Sequence, residues 1–532
     1  MKPKEKKIAV VAGLCCLVAG FAFFQFYYPY HLFYREQMLL FLSTPGYLST
    51  YFDRPAWFSC LCGDYLTQYY YLIGGGAAVL SVALVLWGGL VGCACRQMMP
   101  GAAAFAVALA ALVAQLFRNF GLNYELSSTL SLTGGVVLFL LHLTLIRRNR
   151  RWLWLALLLL PVAYWFFGCG IWMYLLLTTA YSLIKSRQYG FLPVGWAIAL
   201  LVVWLPRGHY LLTAKQAFIY PSTDFVLPLP DIRAEKLLAM DTHAYRENWQ
   251  MVLQLAERSD IQNSLVSYYR NLAQSMTGNL PDGLMNFYQP AALGLFQEVS
   301  ANNSIPGIRI SNEVWFTLGD MTAAEHSAIL GMIFSPHHRS SRLLKRLAEI
   351  NLVKGDDDAA VRFLRMLEQT KFHKQWATSR LPENRNRILT ERLARRRSFV
   401  PQTDLIVPAN DHPARLRHLL RNNPENQRAL DYLLCYDLLT KDVRTFAEDY
   451  RQHADGRVTS RLYYEALLIY LAARRATPEE ALTYRIPTEI VREFNAYTKL
   501  YEQHRGNPAP LQSQYGKSYW FYYHFATFKS TP

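Results

Sequence analysis

The sequence predicts an all-α protein in two parts: a polytopic bundle of about seven transmembrane helices, then a soluble domain of helical repeats. Three observations lead there. Long apolar runs recur over the first two-fifths of the chain. Lys and Arg cluster in alternate loops between those runs. Beyond residue 235, apolar residues recur at helical spacing and no strand-like alternating stretch interrupts them.

The first run, from Ile8 to about Tyr28, follows Lys2, Lys4, Lys6 and Lys7. About 20 residues at 1.5 Å rise cross a bilayer. The run is longer than a signal-peptide core and ends in Phe26-Tyr27-Tyr28-Pro29-Tyr30, without a small-residue cleavage pattern, so it reads as an uncleaved helix. Further spans fall at about 70–94, 102–117, 126–146, 152–167, 171–184 and 191–205. The last three are short. Merging 152–184 into one helix would put Lys185 and Arg187 outside. With seven spans, Arg96, the Arg147, Arg148, Arg150, Arg151 cluster, and Lys185 with Arg187 all join the amino-terminal lysines on the cytoplasmic side. The expected location is therefore the cell inner membrane, multi-pass, with the N-terminus cytoplasmic and the C-terminal domain periplasmic.

These runs define residues 1–206 as the bundle. Residues 207–234, with Pro221, Pro228 and Pro230, read as a linker, and 235–532 as the extracytoplasmic helical domain. The composition, 52% hydrophobic and 18% charged, averages these unlike parts. The net charge of +16 sits partly at membrane edges and partly in clusters such as Arg395-Arg396-Arg397. Beside a bilayer such clusters suit anionic headgroups or acidic glycans, but a solvated helix face is the simpler reading. No nucleic-acid motif occurs, so a nucleic-acid partner is not expected. Eight cysteines lie mostly in or near apolar runs and form no metal-ligand spacing. Thirteen histidines, His337, His338, His412 and His418 among them, form no ligating array, so neither a metal nor a cofactor is expected. Gly74-Gly75-Gly76 and Gly88-x-x-x-Gly92 suit close helix approach in lipid.

The most unusual stretch is the first outer loop, 31–68, where aromatics alternate with a few ionisable groups. It is too apolar for free solution and reads as short amphipathic helices at the headgroup level. Arg35, Glu36, Asp53, Asp64 and Gln68 are its polar handles, and Arg118 lies at the next outer loop. Charged groups at a membrane edge are functional candidates; Arg35, Gln68 and Arg118 are the binding candidates. The competing reading is that Arg35, Glu36 and Asp64 pair with one another to seat the loop.

In the helical domain, Leu347-Ala348-x-x-Asn351, the turn at Gly355-Asp356-Asp357-Asp358, and then Ala360 and Leu364 resemble a tetratricopeptide helix pair. Trp315-x-x-Leu318-Gly319 echoes its first helix. The fold expected is therefore a transmembrane bundle followed by a tetratricopeptide-like domain. Tyr34-Arg35-Glu36-Gln37, Pro45-Gly46-Tyr47-Leu48, Leu66-Thr67-Gln68-Tyr69-Tyr70, and Pro336 with the following Arg342-to-Asn351 stretch resemble an uncharacterised family of Bacteroidota membrane proteins. That resemblance implies a multi-spanning protein with a helical-repeat domain and no established activity.

Two functions follow as expectations. The first is a membrane-anchored scaffold, held in the lipid bilayer, whose helical-repeat domain binds a periplasmic protein partner. The alternative is a multi-spanning glycosyltransferase acting on a lipid-linked sugar, a glycolipid. Such enzymes carry acidic residues in the first outer loop, and some animal O-mannosyltransferases pair the bundle with tetratricopeptide tails. Glu36 or Asp64 would then be the catalytic base. Seven spans, and the lack of an adjacent acidic pair in the loop, depart from that class.

Overall fold

The structure is a computed structural model. It describes residues 3–297, 305–335, 338–403, 405, 407–408, 410–454, 459–504 and 506–527. Lys2, Pro336 and His337, singled out above, lie outside the described residues. Among those described, every regular element is helical.

The chain divides into two compact units. The first comprises Met1–Glu235 together with Arg339–Arg342 and Arg365–Thr378. The second comprises Lys236–His338, Leu343–Leu364 and Ser379–Pro532. Two short segments of the late sequence thus group with the first unit.

In the first unit the apolar runs form α1 (Pro3–Phe26), α4 (Gly75–Cys95), α5 (Gly101–Arg118), α6 (Leu126–Arg148), α7 (Leu155–Phe167), α8 (Gly170–Tyr181) and α9 (Phe191–Trp204), with α2 (Tyr30–Gln37) and α3 (Trp57–Thr67) in the first loop. Among the described residues, five stretches are long and apolar enough to cross a membrane: Ala9–Phe26, Gly75–Cys95, Gly101–Arg118, Leu126–Arg148 and Arg150–Phe167. The helices α8 and α9, expected as spans six and seven, are shorter than that. Val11, Val18, Leu86, Leu141, Leu158 and Leu200 point outward, fully or half exposed. A band of apolar surface this broad suits lipid rather than water. Inside, a Cβ on Gly88 or Gly92 would stand only 3.0 or 3.1 Å from Leu112 or Ala108, so this pair lets α4 lie close on α5. A Cβ on Gly135 would overlap the carbonyl oxygen of Gly170, which makes α6 against α8 the closest crossing.

The second unit is built from short helices packed on their sequence neighbours, such as Trp249–Glu257 on Ser264–Met276, and Ile305–Leu318 on Met321–Ile333. One difference from sequence reading stands out. The apolar spacing over 315–332 reads as one helix but is two. Gly319 takes φ +101°, which a Cβ would strain, and Asp320 accepts the Ala323 N–H at 2.8 Å to start the next helix. At the expected turn, Gly355 takes φ +86° and Asp356 caps the following helix through Ala359 N–H at 2.9 Å. Ala360 is fully buried there. The core runs through Leu343, Leu433, Tyr463 and Trp520, all fully buried.

Candidate functional site

The first loop is the natural place to look, and the structure gives α2 an unexpected environment. Every residue from His31 to Gln37 is buried. A surface amphipathic helix would leave one face in headgroups. This helix is instead enclosed, because later segments of the first unit close over it.

Charge holds the N-terminus of α2. Glu235 caps its N-terminus, accepting the Tyr30 N–H at 2.5 Å and the His31 N–H at 3.1 Å. A carboxylate suits the positive end of the helix dipole. Burial opposes the charge and raises the Glu235 pKa to about 7, with the two N–H groups pulling it back. His31, fully buried 3.7 Å from that carboxylate, has its pKa pushed well down by burial and by the Arg35 charge. Arg35 serves a second helix end. Its Nη2 donates to the carbonyls of Asn119 at 2.7 Å and Gly121 at 2.6 Å, just past the C-terminus of α5, where a cation is favoured. Asn119 is anchored in turn through Nδ2 to Gln115 O at 2.9 Å.

Glu36 faces the late segments. Its Oε1 lies 3.4 Å from His373 Nε2 and 3.5 Å from Ser341 Oγ. Beside it, Ser340 Oγ donates to Gln37 O at 2.7 Å and Ser341 N–H to Leu39 O at 3.2 Å. Arg342 Nη1 reaches Gln37 Oε1 at 3.1 Å. Glu36, Gln68, Ser341, Thr370 and His373 border a crevice of about 10 Å³. That is room for a single water at most.

The remaining candidates are placed elsewhere. Asp64 accepts the Tyr51 hydroxyl at 2.6 Å and lies 3.6 Å from Arg54. Burial, and then the Asp64 charge, raise the Tyr51 pKa and keep that hydroxyl a donor. Gln68 Nε2 donates to Tyr65 O at 3.2 Å. Arg118 donates to Ser222 Oγ at 2.7 Å and Asp224 O at 2.8 Å, with Tyr124 under its guanidinium at 4.6 Å. The structure therefore brings Glu36 and Gln68 together. Arg35 and Arg118 are each occupied with backbone carbonyls, and Asp64 with Tyr51 and Arg54. The contacts described for Arg35, Glu36 and Asp64 run to other groups rather than to one another. Among the described residues, no three His, Cys, Asp or Glu side chains assemble as a metal site.

Sequence reading missed Glu235, Ser341 and His373 as partners of α2. It also missed a groove of about 1080 Å³ in the second unit. Its walls come from Phe287, Tyr288 and Phe296 of the 286–296 loop, Tyr436, and the last helix, Tyr519–Phe525. That helix splits its aromatics. Tyr519 and Trp520 are fully buried, with Trp520 Nε1 donating to Glu465 O at 2.9 Å. Phe521, Tyr522 and Phe525 face the groove. Tyr522 is fixed by a hydroxyl bond to Leu439 O at 2.9 Å. His412 stacks on Phe296 with ring centres 4.4 Å apart, and burial lowers its pKa to about 4, so it lines the groove as a neutral ring. Asn286, Gln289, Asn410 and Lys517 supply polar groups. Rigid aromatic faces with scattered amides suit an extended chain that needs both apolar contact and backbone partners.

Residues 4–526 match a family of unknown function (DUF6057), and the chain belongs to that family. No curated protein and no solved structure matches the chain.

Proposed function

We propose, with membership of a family of unknown function as the premise, that the protein is a membrane-anchored scaffold whose second unit binds an extended segment of a protein partner in its aromatic groove. The groove is the observation that carries this reading: it is large, open, rigidly walled and mixed in polarity. The crevice at Glu36 has the opposite character. At about 10 Å³ it has no room for a sugar ring, so the glycosyltransferase alternative gains no support from it.

In the same reading the seven apolar helices of the first unit all cross the bilayer, α8 and α9 with the help of local thinning and flanking aromatics. The amino-terminal lysines lie in the cytoplasm and the second unit lies in the periplasm. The tetratricopeptide-like pairing of 347–364 supports a partner-binding role, since stacked helix pairs present extended binding surfaces.

Photo-crosslinking in intact cells tests the groove. A benzoylphenylalanine at Tyr288 or Phe521 is expected to yield a discrete protein adduct, and the same probe at exposed Leu482 none. The adduct should disappear in Tyr522→Ala/Phe525→Ala at unchanged protein level. Equal adducts from all three positions, or none from the groove, would contradict the reading.

A further inference from the structure

A second concavity of the second unit, about 490 Å³, has a composition unlike the groove. Its floor is apolar: Met276, Phe316, Met321 and Phe399. Its rim carries four arginines, Arg392, Arg395, Arg396 and Arg428, against one carboxylate, Glu425. Arg392 meets Glu247 at 3.7 Å, a pair more than half exposed and of little energetic weight. None of the other ion pairs among the described residues involves Arg395, Arg396 or Arg428.

The walls are held. Asn426 Nδ2 donates to Leu318 O at 2.8 Å, and Asn423 Nδ2 to Ser398 O at 3.0 Å. Arg397, next to the rim, is fastened to the carbonyls of Val353 and Leu352 at 2.9 and 3.2 Å. Phe316 lies between two guanidiniums, Arg346 at 4.0 Å and Arg396 at 4.7 Å from its ring centre. Burial lowers the Arg396 pKa; the Glu349 and Glu247 carboxylates oppose that, and the neighbouring Arg346 and Arg392 charges add to it. Converging cations over a low-dielectric floor repel one another. An anion seated among them relieves that repulsion, and planar guanidiniums match the oxygens of a phosphate two at a time. A bare hydrated ion would leave the partly exposed Met276 and Phe399 of the floor uncovered, whereas Phe316 and Met321 are already buried.

We infer that this pocket binds an amphipathic phosphate, its apolar portion on the floor formed by Phe316, Phe399, Met276 and Met321 and its phosphate between Arg395, Arg396 and Arg428. Membrane phospholipids and soluble alkyl phosphates share that chemistry. The site lies apart from the aromatic groove, so it stands whether or not the groove takes a peptide.

Calorimetric titration of the full chain in phosphatidylcholine nanodiscs with hexyl phosphate tests it. Inorganic phosphate supplies the head alone and hexyl glucoside the tail alone. Hexyl phosphate should bind at least about tenfold more tightly than either, because only it engages both rim and floor. Arg395→Gln/Arg428→Gln, both exposed side chains, should weaken hexyl phosphate about tenfold or more at an unchanged melting temperature. Arg387→Gln/Arg444→Gln, exposed arginines away from the pocket, should leave binding unchanged. Phe399→Ala should weaken hexyl phosphate but not inorganic phosphate. Nanodiscs containing phosphatidylglycerol separate the sources: competition with hexyl phosphate identifies a membrane lipid, and none identifies a soluble phosphate. Equal binding of inorganic phosphate, equal binding of hexyl glucoside, or binding indifferent to Arg395 and Arg428 would overturn the inference.

Discussion

Around α2 of the first unit, charged and polar side chains are enclosed, and Arg35, Glu36 and Glu235 each meet a neighbouring side chain or backbone group. In the groove and arginine pocket of the second unit, comparable groups face open volume. Glu36 borders about 10 Å³ of space, whereas Tyr288 and Phe521 border about 1080 Å³. The contrast teaches that an ionisable residue in an apolar loop is not by that fact a site. Arg35 and Glu235 complement helix dipoles, Arg35 through Nη2 alone, with Nε and Nη1 buried and unpartnered. The second unit has the more ordinary composition, yet it leaves aromatic and guanidinium groups without full cover.

The sharpest way to break this comparison is to remove a helix-end charge. Arg35→Ala leaves the Asn119 and Gly121 carbonyls without their buried donor and should cost about 1–3 kcal/mol for each carbonyl, seen as a large fall in melting temperature in detergent. Retained stability would mean that Arg35 is held in reserve for a ligand.

Next in size is a pH effect. The folded-state pKa of Glu235 is raised, from about 4.5 to about 7. Between those values the folded state binds the extra proton, so the contribution of Glu235 is fully present below pH 4.5 and is lost as pH rises through 7. On the order of 1–3 kcal/mol should disappear over that window. Glu235→Gln, whose single carbonyl oxygen keeps one of the two N–H bonds, should flatten the dependence of melting temperature on pH. A profile identical to that of the native protein would contradict the assignment.

Smaller effects are expected at the two loop carboxylates. Glu36→Gln and Asp64→Asn each keep an acceptor for their neighbours, and each should cost about 1 kcal/mol in thermal stability. The smallest belongs to Lys371, an exposed side chain on the Tyr65 and Tyr69 hydroxyls; Lys371→Ala should leave the melting curve unchanged.

The apolar helices were legible in the sequence because a run of such length has few other outcomes. Each expected span is helical, with ends within a few residues of those read, though α8 and α9 fall short of a full crossing. Long-range partners were not legible. Glu36 and His373 are 337 residues apart, and no local pattern announces such a meeting. The groove escaped for the same reason: its walls come from the 286–296 loop, His412, Tyr436 and Tyr519–Phe525, which no window reads together. Helix Arg387–Arg397 was read only as charge, because it has few apolar positions to show a period and buries no residue completely. The split at Gly319 was hidden by apolar spacing that stays in phase across it.

The central claim is that binding belongs to the groove and structure to the loop. It is tested most directly by the yield of the Tyr288 photo-adduct in three backgrounds. The native chain and Glu36→Gln/Asp64→Asn should give equal yields, and Tyr522→Ala/Phe525→Ala should give none. Loss of the adduct in a stably folded Glu36→Gln/Asp64→Asn protein, with retention in Tyr522→Ala/Phe525→Ala, would contradict the account.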